Sequence, residues 1–294
     1  MRKPNFFIIG SPKCGTTSLA RYLIEHPKIF FPARKELHFF NTDMRSRMLH
    51  SEGEYYAYFS GAGPEHAAVG EGSVSYLYSD AAVPNILKAI PDARFIVMLR
   101  NPIEMMASWH AHLRHYGLED TRDIERAWHK QEARRNGRGI PSFCADPSLL
   151  LYGQVCSAGW QLKRLYGRVP RDRVLVLFQD DLRADARSVY QMTLDFLGVQ
   201  DDGRVEFGVH NQRFKPIRSQ LVQVVIHFVS QFKLRFGINR SFGVLPLLYK
   251  FNTQGVKNEV INARFRSELA EYFRPDLEQL SELVGRDLSL WLRV

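Results

Sequence analysis

Phe6-Phe7-Ile8-Ile9 is an unbroken apolar run of strand length, the pattern of a parallel strand covered on both faces. The same pattern returns in Ala93–Arg100 and again in Arg173–Phe178. A helical pattern follows each run. After the first, Leu19, Tyr22 and Leu23 keep helical spacing until His26-Pro27 stops them. After the second, Asn101 leads into Pro102, a residue suited to the first helical position, and Ile103, Met106, Ala107, Trp109 and His110 continue the turns. After the third, Asp180-Asp181-Leu182 opens a helix that closes at Phe196-Leu197-Gly198-Val199. Lys28–Pro32 predicts a short extended piece. Tyr55, Tyr56, Tyr58 and Phe59 have helical spacing and predict packing. Further helices are predicted over Leu149–Leu165 and Phe265–Val284. Strands alternating with helices predict an α/β fold on a mainly parallel sheet.

Composition narrows this reading. A chain of 294 residues with 45% hydrophobic and 24% charged residues can bury a sizeable core, and it predicts one α/β domain over 1–294. The run Phe6–Ile9 is too short for a signal peptide, and no stretch reaches the roughly 18 apolar residues of a membrane span. Three widely spaced cysteines give neither a disulfide framework nor a zinc pattern, so the expected setting is a reducing cytoplasm. A net charge of +9 favours anionic partners, but no nucleic-acid motif accompanies it, and a nucleic-acid partner is not expected.

The chemistry begins in the loop after the first strand, Gly10-Ser11-Pro12-Lys13-Cys14-Gly15-Thr16-Thr17-Ser18. A strand, a glycine-bracketed loop and a helix start aim backbone N–H groups at one spot, which suits phosphate or sulfate. Lys13 adds a full positive charge, and Ser11, Thr16, Thr17 and Ser18 add hydroxyls. Gly10 and Gly15 keep the spacing of a nucleotide P-loop, but Thr16 stands where its lysine belongs. Cys14 is not a phosphatase nucleophile by spacing: that chemistry needs arginine six residues on, where Ala20 stands, and Arg21 is one too far. Downstream, Glu36 and His38 in Arg34-Lys35-Glu36-Leu37-His38-Phe39-Phe40 lie two apart, so an extended segment would turn both to one side. Arg100 falls at the carboxyl end of the second strand, where ligands bind in open α/β sheets, and Ser108 lies about two turns into the next helix. His112, His115 and His129 have no companion acids at metal spacing and are expected on the surface. The charged stretch around them, 112–148, is expected to form a flap near an acceptor.

Gly10-Ser11-Pro12-Lys13-Cys14-Gly15-Thr16-Thr17-Ser18-Leu19 resembles the 5′-phosphosulfate loop of sulfotransferases that use 3′-phosphoadenosine 5′-phosphosulfate (PAPS), in the branch of the heparan sulfate and other glycan enzymes and their bacterial relatives. Lys35-Glu36-Leu37-His38-Phe39-Phe40 resembles the motif that follows this loop in that branch. Arg100-Asn101-Pro102 with Ser108 resembles the family's 3′-phosphate motif. The resemblance implies a P-loop-like three-layer sandwich, with a central, mainly parallel sheet flanked by helices. It implies PAPS as sulfuryl donor, 3′-phosphoadenosine 5′-phosphate (PAP) as product, and no required metal. It casts Glu36 as general base, with Lys13 and His38 as its catalytic companions. Nucleotide contacts fall to Ser11, Lys13, Cys14, Gly15, Thr16, Thr17, Ser18, Arg100, Ser108 and, in a basic loop around Gly255, Lys257. Two positions depart from the pattern. Asn41 stands where several glycan enzymes have an aspartate. In Glu71-Gly72-Ser73-Val74-Ser75-Tyr76, Gly72 replaces a lysine and Val74 a proline, which suggests an acceptor less anionic than heparan sulfate. The implied acceptor carries a hydroxyl, less readily an amine, on a glycan, a lipid-linked sugar or a small natural product.

Between Phe207 and Asn258 there is no acid, while eight lysines and arginines flank a stripe of Leu221, Val224, Val225, Phe228, Val229 and Phe232. Packing against the domain is the favoured reading, and peripheral contact with an anionic membrane the alternative. Two other functions remain open from sequence: a P-loop kinase using ATP, and a non-catalytic, nucleotide-dependent protein of the membrane surface.

Overall fold

A computed structural model describes residues 2–208, 219, 222, 229, 251 and 261–293. The described residues fall into two compact units. One draws on 1–105, 154–211 and 270–293, the other on 106–153 and 212–269.

The first unit is built on five parallel strands: β1 (Phe6–Gly10), β2 (Ile29–Phe30), β3 (Ala68–Gly72), β4 (Arg94–Leu99) and β5 (Val174–Phe178). Their order is β2-β3-β1-β4-β5. β1 is central and buried along its whole length, as an uninterrupted apolar run requires. Phe7 and Phe95 stack at the middle of the sheet, and Leu37, Phe40, Tyr55, Phe59 and Tyr76 extend the same core. The packing predicted for Tyr55 and Phe59 is therefore present. Helix α1 (Thr16–Ile24) follows β1, and α2 (Glu52–Ala57) is opened by Ser51, whose hydroxyl accepts from the Glu54 N–H. Helix α3 (Ala82–Ala89), which the sequence reading did not single out, precedes β4. Asn101 starts α4 (Pro102–His115): its side-chain oxygen accepts from the N–H groups of Ile103 and Glu104.

The second unit holds α5 (Ile124–His129) and α6 (Gln131–Arg135), both inside the stretch expected to form a flap. They pack around a buried ion pair. Arg134 Nη2 meets Glu119 Oε1 at 2.7 Å, and neither side chain is exposed.

The single helix predicted over Leu149–Leu165 is instead two, α7 (Tyr152–Cys156) and α8 (Ala158–Tyr166), with a break at Ser157. Distant and local side chains stabilise the break. Gln161 donates to the carbonyls of Gln154 and Val155, which end α7. Asp276 accepts from the N–H groups of Gly159 and Trp160, which begin α8. Both sets of helix-terminal groups thus find partners. Helices α9 (Gln179–Ala184) and α10 (Ala186–Leu197) follow β5, and Gly198, at φ 68°, closes α10 in the left-handed region. Helix α11 (Ala263–Val284) buries Phe265, Leu269, Phe273, Leu277 and Leu280 on one stripe, as the predicted amphipathic pattern requires. Among the described residues no helix is long and apolar enough to cross a membrane.

Candidate active site at the carboxyl ends of the sheet

The chain leaves β1 toward β2 on one side of the sheet and leaves β4 toward β5 on the other. The topological switch therefore lies between the carboxyl ends of β1 and β4, where open α/β sheets bind ligands. The loop 10–15 and Arg100 sit there.

The loop is fixed from behind. The Ser11 N–H donates to the Met98 carbonyl on β4 at 2.6 Å. The Lys13 carbonyl accepts from Arg100 Nη1 and from Gln179 Nε2, both at 3.2 Å. A trans peptide turns its N–H away from its carbonyl, so these two donors aim the Cys14 N–H to the opposite side of the loop. Gly15 ends the loop at φ 91°, and no side chain caps the helix that starts there. An added Cβ at Gly15 would also lie 3.1 Å from Leu182 and 3.3 Å from Met98, so glycine answers both a backbone and a packing demand. The Ser11 hydroxyl is buried and has no hydrogen-bond partner. An orphaned hydroxyl beside an uncapped helix N-terminus fits a 5′-phosphosulfate and is poorly explained by a plain turn.

Burial lowers Lys13 toward a pKa of about 8, helped by Arg100 and, less, by Lys35. Lys13 is therefore charged below pH 8 and neutral above it. PAP affinity is expected to be flat below pH 8 and to fall by up to about tenfold per pH unit above it, with Lys13→Met abolishing the dependence. Titration calorimetry between about pH 6.5 and 9.5 checks this, and an equally steep fall in the variant would contradict it. Burial pushes the Cys14 thiol up to about 12, so it stays protonated and unreactive, in agreement with the spacing argument.

The Lys35–Phe40 strap crosses the carboxyl end of β3, next to β1. The Glu36 N–H donates to the Gly72 carbonyl at 2.8 Å. Three consecutive residues then hold Glu36 and His38, and the next, Tyr76, accepts from the Phe39 and Phe40 N–H groups. Ser73 Oγ accepts from the His38 N–H at 3.1 Å, the Val74 N–H donates to Glu36 Oε2 at 2.9 Å, and Ser75 Oγ bonds His38 Nδ1 at 2.8 Å. Asn41, fully buried, reaches the same Ser75 hydroxyl. Glu36 and His38 do come together, with His38 Nε2 3.3 Å from Glu36 Oε2. The reason differs from the predicted one: neither residue is extended, and both take positive φ, 66° and 48°. Such conformations cost about 1–2 kcal/mol each and need the surrounding bonds to hold them.

Desolvation pushes the Glu36 carboxyl up, but the Lys35 ammonium, His38 and the Val74 N–H together outweigh it, and the group lies below its usual range. Glu36 is ionised at neutral pH. Its side chain keeps 32% exposure, so the carboxylate can be reached. Burial lowers His38, against the pull of Glu36, and leaves it neutral. Lys35 pairs directly with Glu36. Its stem crosses Gly72, where an added Cβ would sit 3.2 Å from Lys35 Cε. A cation thus lies over the position at which the sequence departs from the family's lysine.

Arg100 also pairs with Glu104 Oε2 at 2.9 Å, one helical turn on. Residues 3–232 match the sulfotransferase domain family. The chain belongs to this family. A solved sulfotransferase from Alicyclobacillus acidocaldarius is 28% identical and matches over the whole of both chains, with a TM-score of 0.72. That agreement bears out the α/β class with its parallel, helix-flanked sheet. Human bifunctional heparan sulfate N-deacetylase/N-sulfotransferase 3 is 24% identical over 99% of this chain and 31% of its own length. The membrane-associated sulfotransferase kil1 of Dictyostelium discoideum is 30% identical over 36% of this chain and 22% of its own. The chain spans about a third of the length of the heparan sulfate relatives it matches. The family's sulfuryl donor is PAPS.

Within this sulfotransferase domain, the structure gathers Ser11, Lys13, Cys14, Gly15, Thr16 and Ser18 in and after one loop, with Thr17 turned to solvent. Ser108 is half-buried on α4. Lys257, Gly255 and nearly all of the acid-free stretch lie outside the described residues. Gln179 was missed by the sequence reading. It is the first residue after β5, so the strand-end argument that picked out Arg100 applies to it as well.

His115, expected on the surface, is instead buried, because α4 turns it inward, and His110, fully buried, bonds the Thr121 carbonyl at 2.9 Å. His129 is exposed as expected, but it does have companion acids. Glu125 stands one turn before it on α5 and Glu268 comes from α11, with one potential ligand atom from each of the three within 4.8 Å of the others. Trp128 Nε1 donates to Glu268 Oε1, and the Asn262 side chain donates to Glu125 Oε2.

Proposed function

We propose that this domain transfers a sulfuryl group from PAPS to an acceptor hydroxyl, with Glu36 as general base. The observation that carries the reading is the meeting of two features at one end of the sheet. One is an anion-binding loop with an orphaned Ser11 hydroxyl, and the other is an ionised, partly exposed Glu36 held on the neighbouring strand end. PAPS would supply an activated sulfur with a good leaving group. Glu36 takes the hydroxyl proton as the acceptor oxygen bonds to sulfur. Lys13 and the N–H groups of the loop and the α1 N-terminus stabilise the charge left on the phosphate oxygen as the sulfur–oxygen bond breaks. His38, neutral and bonded to Ser75, steadies Glu36 or meets the acceptor. Arg100 would grip the 3′-phosphate, exchanging Glu104 for it, with Ser108 adding a hydroxyl.

The acceptor class proposed is a hydroxyl on a glycan, a lipid-linked sugar or a small natural product. The N-sulfotransferase named among the relatives makes an amine the second reading.

Thermal unfolding with PAP, against ATP with magnesium, tests the donor. PAP at 100 times its dissociation constant is expected to stabilise the protein by about 2.7 kcal/mol. Arg100→Ala is expected to lose most of that shift. Stabilisation by ATP–magnesium alone would favour a kinase and overturn the proposal.

A further inference from the structure

Glu71 is a fully buried carboxyl that the reaction above does not use and, unlike Glu119, it has no arginine against it among the described residues. It sits in β3 between Gly70 and Gly72, opposite Phe7 of β1. A position that only had to fill space would suit an apolar side chain there. Instead, Glu71 Oε1 accepts from Ser73 Oγ at 2.5 Å, and Oε2 accepts from the Tyr55 hydroxyl at 3.1 Å. A hydroxyl has one hydrogen. With that hydrogen given to Glu71, the Ser73 lone pairs face the His38 N–H, which they accept at 3.1 Å.

We propose that Glu71 is a positioning residue for Glu36 and His38: by taking the Ser73 hydrogen it orients the hydroxyl that holds the strap at His38. The proposal rests on the sulfuryl-transfer reading for its catalytic meaning, but its geometry stands apart from it. Ser73 is the first of three consecutive residues that bond Glu36 and His38, and the next two bind Glu36 Oε2 and His38 Nδ1. Disordering Ser73 therefore reaches both reacting-side groups. The groups that face Glu71 are Tyr55 from α2, Ser73 and Tyr76 from the turn after β3, and Glu36 from the strap. β1 contributes only Phe7 at that register. Lys35 crosses the neighbouring Gly72 and pairs with Glu36. Burial, with a smaller push from Glu36, raises Glu71 to about 7 against the hydrogen bonds from Ser73, Tyr55 and Tyr76. Its ionisation, and with it the direction of the Ser73 hydrogen, changes near neutral pH.

The test reads the His38 imidazole by NMR in the full, nucleotide-free chain, assigned with His38→Gln. In the wild type, His38 is expected to titrate below the ordinary value of about 6.5 and to show a second inflection near pH 7. Glu71→Gln is expected to remove that inflection and move His38 toward the ordinary value. Ser73→Ala, which leaves Glu71 in place, is expected to shrink the inflection as well. PAP release from PAPS, with water as acceptor, gives a second readout. Each variant is expected to lose about tenfold or more in kcat with the KM for PAPS unchanged, and the double variant to be no worse than the poorer single one. A full-sized inflection in Ser73→Ala would mean that Glu71 acts through space, and an unchanged His38 titration in Glu71→Gln would mean that it only fills the core. Either overturns the proposal, and if Glu71→Gln fails to fold, Ser73→Ala alone decides. Turnover retained in Glu36→Gln would instead sink the base assignment and leave the His38 result to be judged by itself.

Discussion

Glu36→Gln is expected to lower turnover by about 10²- to 10⁴-fold, the usual worth of a general base, while PAP binds within about twofold of the wild type. Glutamine keeps the shape of the side chain and an oxygen to accept from the Val74 N–H, so the strap should survive. What disappears is the carboxylate that Lys35 and His38 hold in its ionised form. The two measurements are PAP release from PAPS with a hydroxyl acceptor, and a PAP binding titration. Equal losses in both would mean that Glu36 supports the nucleotide site and takes no proton.

Arg134→Met is expected to cost about 3–5 kcal/mol, because it leaves Glu119 charged and buried with no cation. For a chain of this size that is a fall in Tm on the order of 10 °C. The Tyr152 hydroxyl at 2.6 Å and the Thr121 N–H at 2.8 Å still bond Glu119, but they carry no net charge. Desolvation raises the Glu119 carboxyl, and Arg134, Tyr152 and Thr121 more than reverse it, so the group lies below its usual range. The stability this pair gives is therefore present at neutral pH and is lost as pH falls through that depressed value. Thermal melts at pH 7 of Arg134→Met and of Arg134→Met with Glu119→Gln check the account. The double variant should recover much of the loss, and a double variant no better than the single one would refute the buried-charge explanation.

β1, β4 and β5 were legible because a strand buried on both faces writes itself as an apolar run, as Phe6–Ile9 does, whereas β3 was missed because two glycines and Glu71 interrupt its apolar pattern. The start of α4 was legible from Asn101 and Pro102, which act locally. The long helix at 149–165 was misread because its break depends on Asp276, 116 residues away from Trp160, which no periodicity can register. The Glu119–Arg134 pair hid for a related reason: a charged stretch reads as solvated until the fold brings opposite charges together. The site lies between these cases. Its loop is a contiguous motif and was readable, whereas the meeting of Glu36 and His38 depends on left-handed backbone that composition does not announce.

All three cysteines are free and buried, and burial raises the thiol of each. Thiol reagents attack the thiolate, so maleimides and mild oxidants should find almost nothing to react with in the folded protein. One cysteine introduced on an exposed position, such as Thr17 beside the loop, would then take a fluorophore selectively without any native cysteine being removed. The domain comes ready for single-site labelling, which offers a direct optical way to follow the filling of its nucleotide loop.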